Sequence, residues 1–424
     1  MFSPVQQCAM FALLLLVLSG CGGGGGGGGG TGTGPTVTVT AADTLYSFGS
    51  SSTDDPMGPF GGTLIKGSDG NFYGTALGGG TNNGGFVFTI TPTGTETVLH
   101  RFNYPPTGAN PAGLIQASDG NFYGTTSRGG AHDAGTVFKL TPEGVTSILY
   151  SFGAAVNGPV YPSGGVVQGT DGNFYGATTS GGPNNTGTVF KLTPEGVETT
   201  LYTFGPAGAN GGGPDGNGPL GPLVQGSDGN FYGVTLFGGE GNCPNGQITI
   251  ACGTVFKVTP EGVETILHSF SGPDGEGPET GLIQGSDGNF YGTTSGGSHN
   301  FGTVFEITPD GFVTILYAFP MNASQSIGGT PGGLTQGSDG NFYGTTAVGG
   351  ENEGGTVFQL TPGGSLYTLY SFPSSPSSTP NGSATGAGPA TNLVQGNDGN
   401  LYGATDYLGA YGEGYFYKLV LSSN

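Results

Sequence analysis

One stretch of the chain, GLIQGSDGNFYGTTSGGSHNFGTVFEITPDGFVTILYAF at Gly281–Phe319, decides the fold. Its short apolar runs are GLIQ (281–284), FYGTT (290–294), TVFEIT (303–308) and VTILYAF (313–319). The first two are joined by Ser286-Asp287-Gly288-Asn289 and the last two by Pro309-Asp310-Gly311, which is hairpin chemistry because Gly and Asn accept positive φ. Hairpins make neighbouring strands antiparallel, so the stretch predicts four consecutive antiparallel β-strands.

The same motifs recur seven times in a fixed order. D-G-N-F-Y-G or D-G-N-L-Y-G begins at Asp69, Asp119, Asp171, Asp228, Asp287, Asp339 and Asp398, 50 to 59 residues apart. The fourth-strand marker L-Y/H-x-F begins at Leu45, Leu99, Leu149, Leu201, Leu267, Leu316 and Leu369. Repeats of this length are typical of four-stranded propeller blades and are too long for the coils of a parallel β-helix.

The predicted strands carry apolar neighbours, such as Phe290-Tyr291 and Val304-Phe305, instead of alternating apolar and polar residues. Such strands belong to sheets covered on both faces. We therefore predict an all-β fold, a seven-bladed β-propeller of four-stranded antiparallel blades over residues 43–421. The glycine inside each second strand, as at Gly292, is expected to admit a neighbouring backbone.

The two ends of the repeat region predict how the ring closes. The fourth-strand marker Leu45–Phe48 precedes every other motif, and the last unit stops after its third strand, at Tyr415–Val420. The N-terminal strand Thr44–Phe48 is therefore expected to complete the last blade, which removes the free sheet edges.

Composition and charge exclude several classes of protein. The 424 residues include 94 Gly and 29 Pro, which argues against a helical or doubly wound α/β fold. Seven Lys and Arg stand against 28 Asp and Glu, for a net charge of −21. Because such a chain repels phosphate backbones, no nucleic-acid partner is expected.

The N-terminus predicts export. The apolar run Phe11–Leu18 suits a signal peptide, and L-S-G-C at Leu18–Cys21 resembles the lipobox of bacterial lipoproteins. The resemblance implies a lipoprotein signal at residues 1–20, lipidation of Cys21 and a Gly/Thr-rich tether over residues 21–42. The expected location is the bacterial cell envelope, as an outer-membrane lipoprotein whose lipid is its one membrane contact. The alternative is an ordinary secretory signal.

Two cysteines of the exported part, Cys243 and Cys252, stand nine positions apart in the one insertion of its kind. An oxidising compartment favours a local disulfide between them. Two free thiols are the alternative. A zinc site is disfavoured because no further Cys or close His pair accompanies them.

The motifs G-S-D-G-N-F-Y-G-T-T, G-T-V-F-K-L-T-P-E-G and L-Y-S-F together resemble those of the GloVer-type tandem-repeat bacterial surface proteins, whose anchors vary. The resemblance covers essentially everything after the tether. It implies architecture and surface location, and it implies no reaction or ligand.

The candidate metal and catalytic residues are few. The seven turn Asp residues should lie in a ring, too far apart for a carboxylate pair, so they are interpreted as turn caps. His100 and His268 replace the Tyr of the fourth strand and are interpreted as structural. No cofactor is expected. Calcium is the one metal considered, on the acidic loop with Asp274, Glu276 and Glu279.

The expected function is a non-enzymatic, surface-anchored binding or scaffolding propeller, acting as a monomer on a polysaccharide or another surface protein. The alternative is an exported carbohydrate-active enzyme, a lyase or hydrolase, with its site on the face of the variable loops. Binding residues concentrate on variable loops held by a rigid scaffold. The ligand-binding candidates are His132, Phe237, Ile248 and His299, with the blade-four loop, Gly239–Gly253, at the rim of the site.

Overall fold

The structure is a computed structural model, and every regular element in its described residues is a β-strand. It describes residues 36–49, 62–79, 83–104, 107–206, 213–241, 243–245, 248–297, 300–320, 328–374, 388–389, 391–408 and 410–423. No described segment is a helix long and apolar enough to cross a membrane.

Blades one to four use the following strands. Blade one has β2 (Leu64–Lys66), β3 (Phe72–Ala76), β4 (Phe86–Ile90) and β5 (Glu96–Arg101). Blade two has β6 (Ala109–Gln116), β7 (Phe122–Arg128), β8 (Thr136–Leu140) and β9 (Thr146–Ser151). Blade three has β10 (Pro159–Gln168), β11 (Phe174–Gly181), β12 (Thr188–Leu192) and β13 (Glu198–Thr203). Blade four has β14 (Asn217–Gln225), β15 (Phe231–Phe237), β18 (Thr254–Val258) and β19 (Glu264–Ser269), with an inserted hairpin of β16 (Cys243–Asn245) and β17 (Ile248–Ile250).

The remaining strands complete the ring. Blade five has β20 (Ile283–Gln284), β21 (Phe290–Thr294), β22 (Asn300–Ile307) and β23 (Val313–Pro320). Blade six has β24 (Gly329–Gln336), β25 (Phe342–Val348), β26 (Thr356–Leu360) and β27 (Leu366–Ser371). Blade seven has β28 (Val394–Gln395), β29 (Leu401–Ala404), β30 (Tyr415–Ser423) and β1 (Val37–Ser47). These are seven four-stranded antiparallel sheets, so the predicted seven-bladed propeller is confirmed.

Ring closure follows the prediction, with a longer strand. β1 pairs antiparallel with β30, from Val37 opposite Ser423 to Ser47 opposite Tyr415. The strand therefore begins seven residues before Thr44, inside the expected tether. The extension has a physical reason, because Val37 and Val39 pack against the core between blades six and seven.

The hydrophobic core is divided into seven clusters, one at each interface between neighbouring blades. The Phe and Tyr of each D-G-N-F-Y-G motif point to opposite faces of the second strand, so the Tyr of one blade meets the Phe of the next. Tyr175 stacks on Phe231 at 3.8 Å between ring centroids, and Tyr402 meets Phe72 at 4.3 Å where the ring closes. Aromatic burial of this kind binds the blades together.

At most second-strand glycines the close neighbour is a side chain and not the expected backbone. Gly124 follows the expectation, since a Cβ there would lie 2.6 Å from the Gly113 carbonyl oxygen. A Cβ on Gly292 would lie 2.6 Å from the ring of Phe305, so the glycine makes room for an aromatic side chain of its own blade. Close backbone approach occurs instead between first strands, where a Cβ on Gly164 would lie 2.0 Å from the carbonyl carbon of Gly221. These first strands contact each other around the propeller axis.

The two ends of the propeller differ. The uniform face carries the D-G-N turns between first and second strands and the T-P-x-G turns between third and fourth strands, for example Asp171–Asn173 and Pro194–Gly196. The variable face carries the loops between second and third strands and the links between blades. The inserted hairpin of blade four lies on the variable face.

Candidate functional site

The Asp residues of the D-G-N turns are structural caps on the uniform face, as predicted. Asp171 Oδ1 accepts the backbone N–H of Asn173 at 3.1 Å, and Oδ2 accepts the Asn173 amide at 2.7 Å and the Tyr175 hydroxyl at 2.8 Å. Lys191 adds an ion pair at 3.0 Å. Burial by itself raises the pKa of Asp171, but these hydrogen bonds outweigh it and hold the pKa below its usual range. Both carboxylate oxygens of Asp171 therefore accept hydrogen bonds from residues of its own blade.

A second ring of contacts on the uniform face joins successive blades, and sequence reasoning missed it. The Gln that ends a first strand accepts a backbone N–H from the D-G-N turn of the preceding blade, as Gln168 does from Ser118 at 2.8 Å. At the closing interface Lys66 stands in place of Gln and donates to Asn397 at 3.0 Å. The sequence feature that indicates these contacts is the Gln at the end of G-L-I-Q, which is repeated in every blade except the first.

The predicted disulfide is present and fixes the blade-four loop. Cys243 and Cys252 are joined, with Cα atoms 5.5 Å apart, and both side chains are fully buried in the core between blades four and five. Closing a loop of this size contributes about 2–3 kcal/mol. Of the ligand-binding candidates beside it, Phe237 is about one-third exposed at the end of β15, and the backbone of Ile248 lies in β17. The disulfide thus ties the described parts of the blade-four loop to the core, on the variable-face side of blades four and five.

The structure does not bring the calcium candidates together. Asp274 accepts hydrogen bonds from the Ser271 backbone at 2.8 Å and the Ser271 hydroxyl at 3.0 Å, and its second oxygen contacts His268 Nε2 at 2.8 Å. Burial raises the pKa of Glu276 and of Glu279, which disfavours the charge a cation would need. Among the described residues, no three His, Cys, Asp or Glu side chains are placed to hold a metal ion.

The P-D-G sequence of this loop has a structural role instead. In blade three the equivalent Asp215 accepts the Tyr202 hydroxyl at 2.7 Å, just as Asp274 contacts His268, the residue that replaces this Tyr in blade four. Both carboxylates tie a link between blades to the outer strand before it. A cavity of about 500 Å³ opens beside Asp215 and His268, lined by Pro214, Asp215, Glu240, Ile266, Leu267, His268 and Ser269. The sequence pattern that indicates the two carboxylate contacts is L-Y/H-x-F followed by P-D-G.

The predicted ligand residue His132 belongs to a group on the variable face that we call the blade-two cluster: Tyr104, Arg128, His132, Asp133 and Tyr161. His132 is exposed, and its Cβ lies 3.1 Å from the position a Cβ on Gly153 would take. The fourth ligand candidate, His299, lies outside the described residues, as does Cys21.

Hydrogen bonds hold the blade-two cluster in place. Asp133 Oδ1 accepts the backbone N–H of Gly129 at 2.9 Å, and Oδ2 accepts the Tyr104 hydroxyl at 2.9 Å. This bond and the Asp133 charge raise the pKa of Tyr104, while the nearby Arg128 opposes the shift. The cluster thus offers a carboxylate, a guanidinium, an imidazole and two phenols, from blade two, the link before it and the first strand of blade three.

The Gloeobacter/Verrucomicrobia repeat model matches residues 59–250 and 245–424, which is nearly the whole propeller. The chain belongs to this family. Membership agrees with the motif resemblance and with the seven tandem repeats. No curated protein shows significant sequence similarity to the chain.

Solved structures share the fold of this Gloeobacter/Verrucomicrobia repeat protein at low sequence identity. A streptogramin B lyase matches with a TM-score of 0.57 and 17% identity, covering 91% of this chain and 98% of that one. A catalytically inactive virginiamycin B lyase from Staphylococcus aureus matches with a TM-score of 0.56 and 16% identity, covering 91% of this chain and 99% of that one. The extracellular domain of a putative hybrid two-component system from B. thetaiotaomicron matches with a TM-score of 0.54 and 11% identity, covering 89% of this chain and 39% of that one. At such identities the likeness concerns the propeller alone.

Proposed function

We propose that this protein is an exported, envelope-anchored binding module that captures its partner on the variable face. The observation that carries the proposal is the contrast between the two faces. On the uniform face the turn carboxylates and amides are used within or between blades, as at Asp171 and Gln168. On the variable face a disulfide-closed loop and the blade-two cluster belong to the same ring of blades. Rigid scaffolds that display variable loops are typical of binding proteins.

The described chain enters the fold on the uniform face. Thr36, the first described residue, lies there, where its N–H donates to Gln359 Oε1 at 3.1 Å and its hydroxyl accepts from Gln359 Nε2 at 2.7 Å. β1 then runs toward the variable face, which it reaches at Ser47. The strand that closes the ring therefore starts on the uniform face and ends beside the proposed binding face.

The electrostatic state of the blade-two cluster supports binding over catalysis. A raised pKa keeps the Tyr104 phenol protonated, so it donates a hydrogen bond and does not act as a base near neutral pH. Both oxygens of Asp133 accept a hydrogen bond, from Gly129 and Tyr104, which holds the carboxylate in place as a hydrogen-bond acceptor. These groups are suited to hydrogen bonding with a ligand.

The second candidate function is the exported carbohydrate-active enzyme, a lyase or hydrolase. The observation that favours it is the grouping of Arg, His, Tyr and a carboxylate on one face. Hydrolysis by retaining or inverting mechanisms uses two carboxyl groups about 5–10 Å apart. The blade-two cluster contributes one. A reducing-end assay on every polysaccharide that the protein binds separates the two functions, since only the enzyme releases new chain ends.

Shortening the blade-four loop tests the proposed binding face. Replacing Gly239–Gly253 by the blade-three loop sequence Gly182–Gly187 removes the insertion and its disulfide together and keeps the β15–β18 connection. We expect weaker retention on an array of bacterial and plant polysaccharides or envelope proteins. Folding should be retained at a lower melting temperature, because the four strands of every blade are kept but the buried disulfide is lost. The measurement is array binding beside a circular-dichroism melt.

The matched control replaces the uniform-face turn Pro194-Glu195-Gly196 by the equivalent Pro362-Gly363-Gly364, which should leave binding unchanged. Loss of binding in this control, together with full binding by the shortened-loop variant, would contradict the assignment of the variable face.

Anchoring is tested at Cys21. In the full-length chain, Cys21→Ser removes the thiol that a lipoprotein signal would modify. We expect the variant to lose radiolabelled palmitate and to leave the membrane fraction, because stable attachment of this kind depends on acyl chains. Cys8→Ser is the matched control and should keep both properties. A native protein that takes up no label would contradict the lipoprotein proposal and favour an ordinary secretory signal.

A further inference from the structure

Two exposed aromatic residues flank blade two on the variable face. Tyr104 lies in the link before it and Tyr161 in the first strand after it, and each is 37% exposed. The two phenols are close enough for Tyr161 to contribute to the raised pKa of Tyr104. Blade two's own loop contributes Asp133 between them in the chain, together with the exposed His132. Three segments distant in sequence thus build one surface.

The backbone of Tyr161 adopts a conformation that other blades share. Its φ is +59°, and its N–H donates to the Ala134 carbonyl at 2.9 Å. The residue before the equivalent proline also has positive φ in the other blades where it is described, at Asn110, Gly218, Gly277, Thr330 and Gly388. The positive φ therefore belongs to the link between blades. Because the Tyr161 N–H bonds to the blade-two loop at Ala134, this link geometry places the partly exposed Tyr161 next to that loop.

Tyr104, in contrast, is held by its hydroxyl. The 2.9 Å bond to Asp133 fixes the phenol, and the Asp133 carboxylate is itself fixed by the Gly129 N–H. An aromatic ring that is ordered before binding loses less entropy when a ligand packs on it. The Tyr104 ring is therefore a preorganised contact surface.

Hydrogen-bond donors surround these rings. Arg128, at the end of β7, forms no ion pair among the residues that the structure describes. Three of the chain's lysines pair with turn Asp residues, and all five lie toward the uniform face: Lys66, Lys139, Lys191, Lys257 and Lys418. The variable face near blade two thus has an available guanidinium, beside the exposed imidazole of His132, on a molecule with a net charge of −21.

We propose that the blade-two cluster is a carbohydrate subsite that takes a hexose unit of a neutral polysaccharide. This inference rests on the proposed binding function and names its ligand class. A pyranose ring has an apolar C–H face that packs on Tyr104 or Tyr161, and hydroxyl groups that pair with Arg128, His132 and Asp133. The net charge of −21 disfavours polyanions such as uronate polymers. The cluster also has only five residues, whereas each partner in a protein–protein interface contributes about 20–30.

The test uses the full-length protein and affinity electrophoresis through gels that contain laminarin, hydroxyethylcellulose, xylan, galactomannan or alginate. We expect at least one neutral polymer to retard the protein and alginate to have no effect. Tyr161→Gly should weaken that retardation about tenfold or more, because a buried aromatic contact is lost. Its melting temperature should not fall, since glycine adopts positive φ without strain.

Phe312→Ala is the matched control, because Phe312 is an exposed aromatic residue on the uniform face. Unchanged binding of Phe312→Ala together with weakened binding of Tyr161→Gly supports the subsite. Retardation by alginate alone, or no retardation by any neutral polymer, overturns it. Tyr161→Gly that binds as well as the native protein also overturns it. If that variant binds fully and the shortened blade-four loop does not, the carbohydrate subsite fails at blade two and the proposed binding function stands.

Discussion

Deletion of Thr36–Phe48 is expected to abolish cooperative folding of the propeller. The deleted segment is the outer strand of blade seven, paired with β30 from Val37 to Ser47. Phe48, at its end, is fully buried and packs on Phe88 at 5.4 Å between ring centroids. Losing one such Phe side chain costs about 3–5 kcal/mol. Because a domain is stable by only about 5–15 kcal/mol, loss of the strand as well should exceed what the fold can tolerate.

The measurement is a urea titration followed by circular dichroism, with size-exclusion chromatography to detect association. The freed edge of β30 has unpaired backbone groups, so we expect aggregation beside the loss of a single transition. Deletion of Gly22–Gly30 is the control and should leave the transition unchanged. A cooperative, monomeric Thr36–Phe48 deletion would show that six complete blades hold the ring without closure by β1.

Replacement of Asp406 by Asn is expected to stabilise the protein strongly at pH 8 and little at pH 4. Burial raises the pKa of Asp406 from an ordinary 3.8 to about 7, and its Oδ1 has no hydrogen-bond partner among the described residues. Because the folded pKa lies above the unfolded one, the unfolded chain releases this proton first. Stability is therefore lost as pH rises from about 4 to about 7. A pKa difference of about three units between the folded and unfolded states lowers the free energy of unfolding by as much as about 4 kcal/mol.

The check is the free energy of unfolding from urea titrations at pH 4.5, 6 and 8 for the native protein and Asp406→Asn. The gain in the free energy of unfolding of Asp406→Asn over the native protein should grow with pH up to about 7 and then level off. Asp171→Asn is a control for which we expect the opposite change in stability. Hydrogen bonds from Asn173 and Tyr175 overcome the effect of burial and lower the Asp171 pKa. That variant should be destabilised at pH 8 and less so as pH falls below about 4. A pH-independent difference for Asp406→Asn would contradict a buried, protonated carboxyl.

Sequence reasoning succeeded where short motifs have a local physical meaning. The D-G-N turns, the antiparallel strands and the Cys243–Cys252 disulfide were all predicted from neighbouring residues. It was wrong about Gly292, because the residue that fills the space above the glycine is Phe305 on the paired strand. It also began the closing strand at Thr44 instead of Val37, since Val37 packs against a cluster from blades six and seven whose buried members lie at the other end of the chain.

The candidate site was predicted less completely than the fold. His132 was singled out from its variable loop, but Tyr104, Asp133 and Tyr161 were not. The bond between Tyr104 and Asp133 joins residues 29 positions apart, in two different segments. The calcium interpretation of Asp274 overlooked the possibility that its partner is His268, six residues earlier on the outer strand. Such pairings depend on how a link folds back over a blade, and no local motif records that.

The sequence by itself determined the number of blades, the order of the strands and the closure of the ring, because hairpin turns and apolar strands act over a few residues and repeat seven times. The tertiary structure alone decided which side chains meet between blades. Lys66 contacts Asn397 across 331 positions of the chain, and Thr36 reaches Gln359 across 323. Contacts of that kind arise only once the blades are rotated into a closed ring, since closure sets the distance between the first blade and the last.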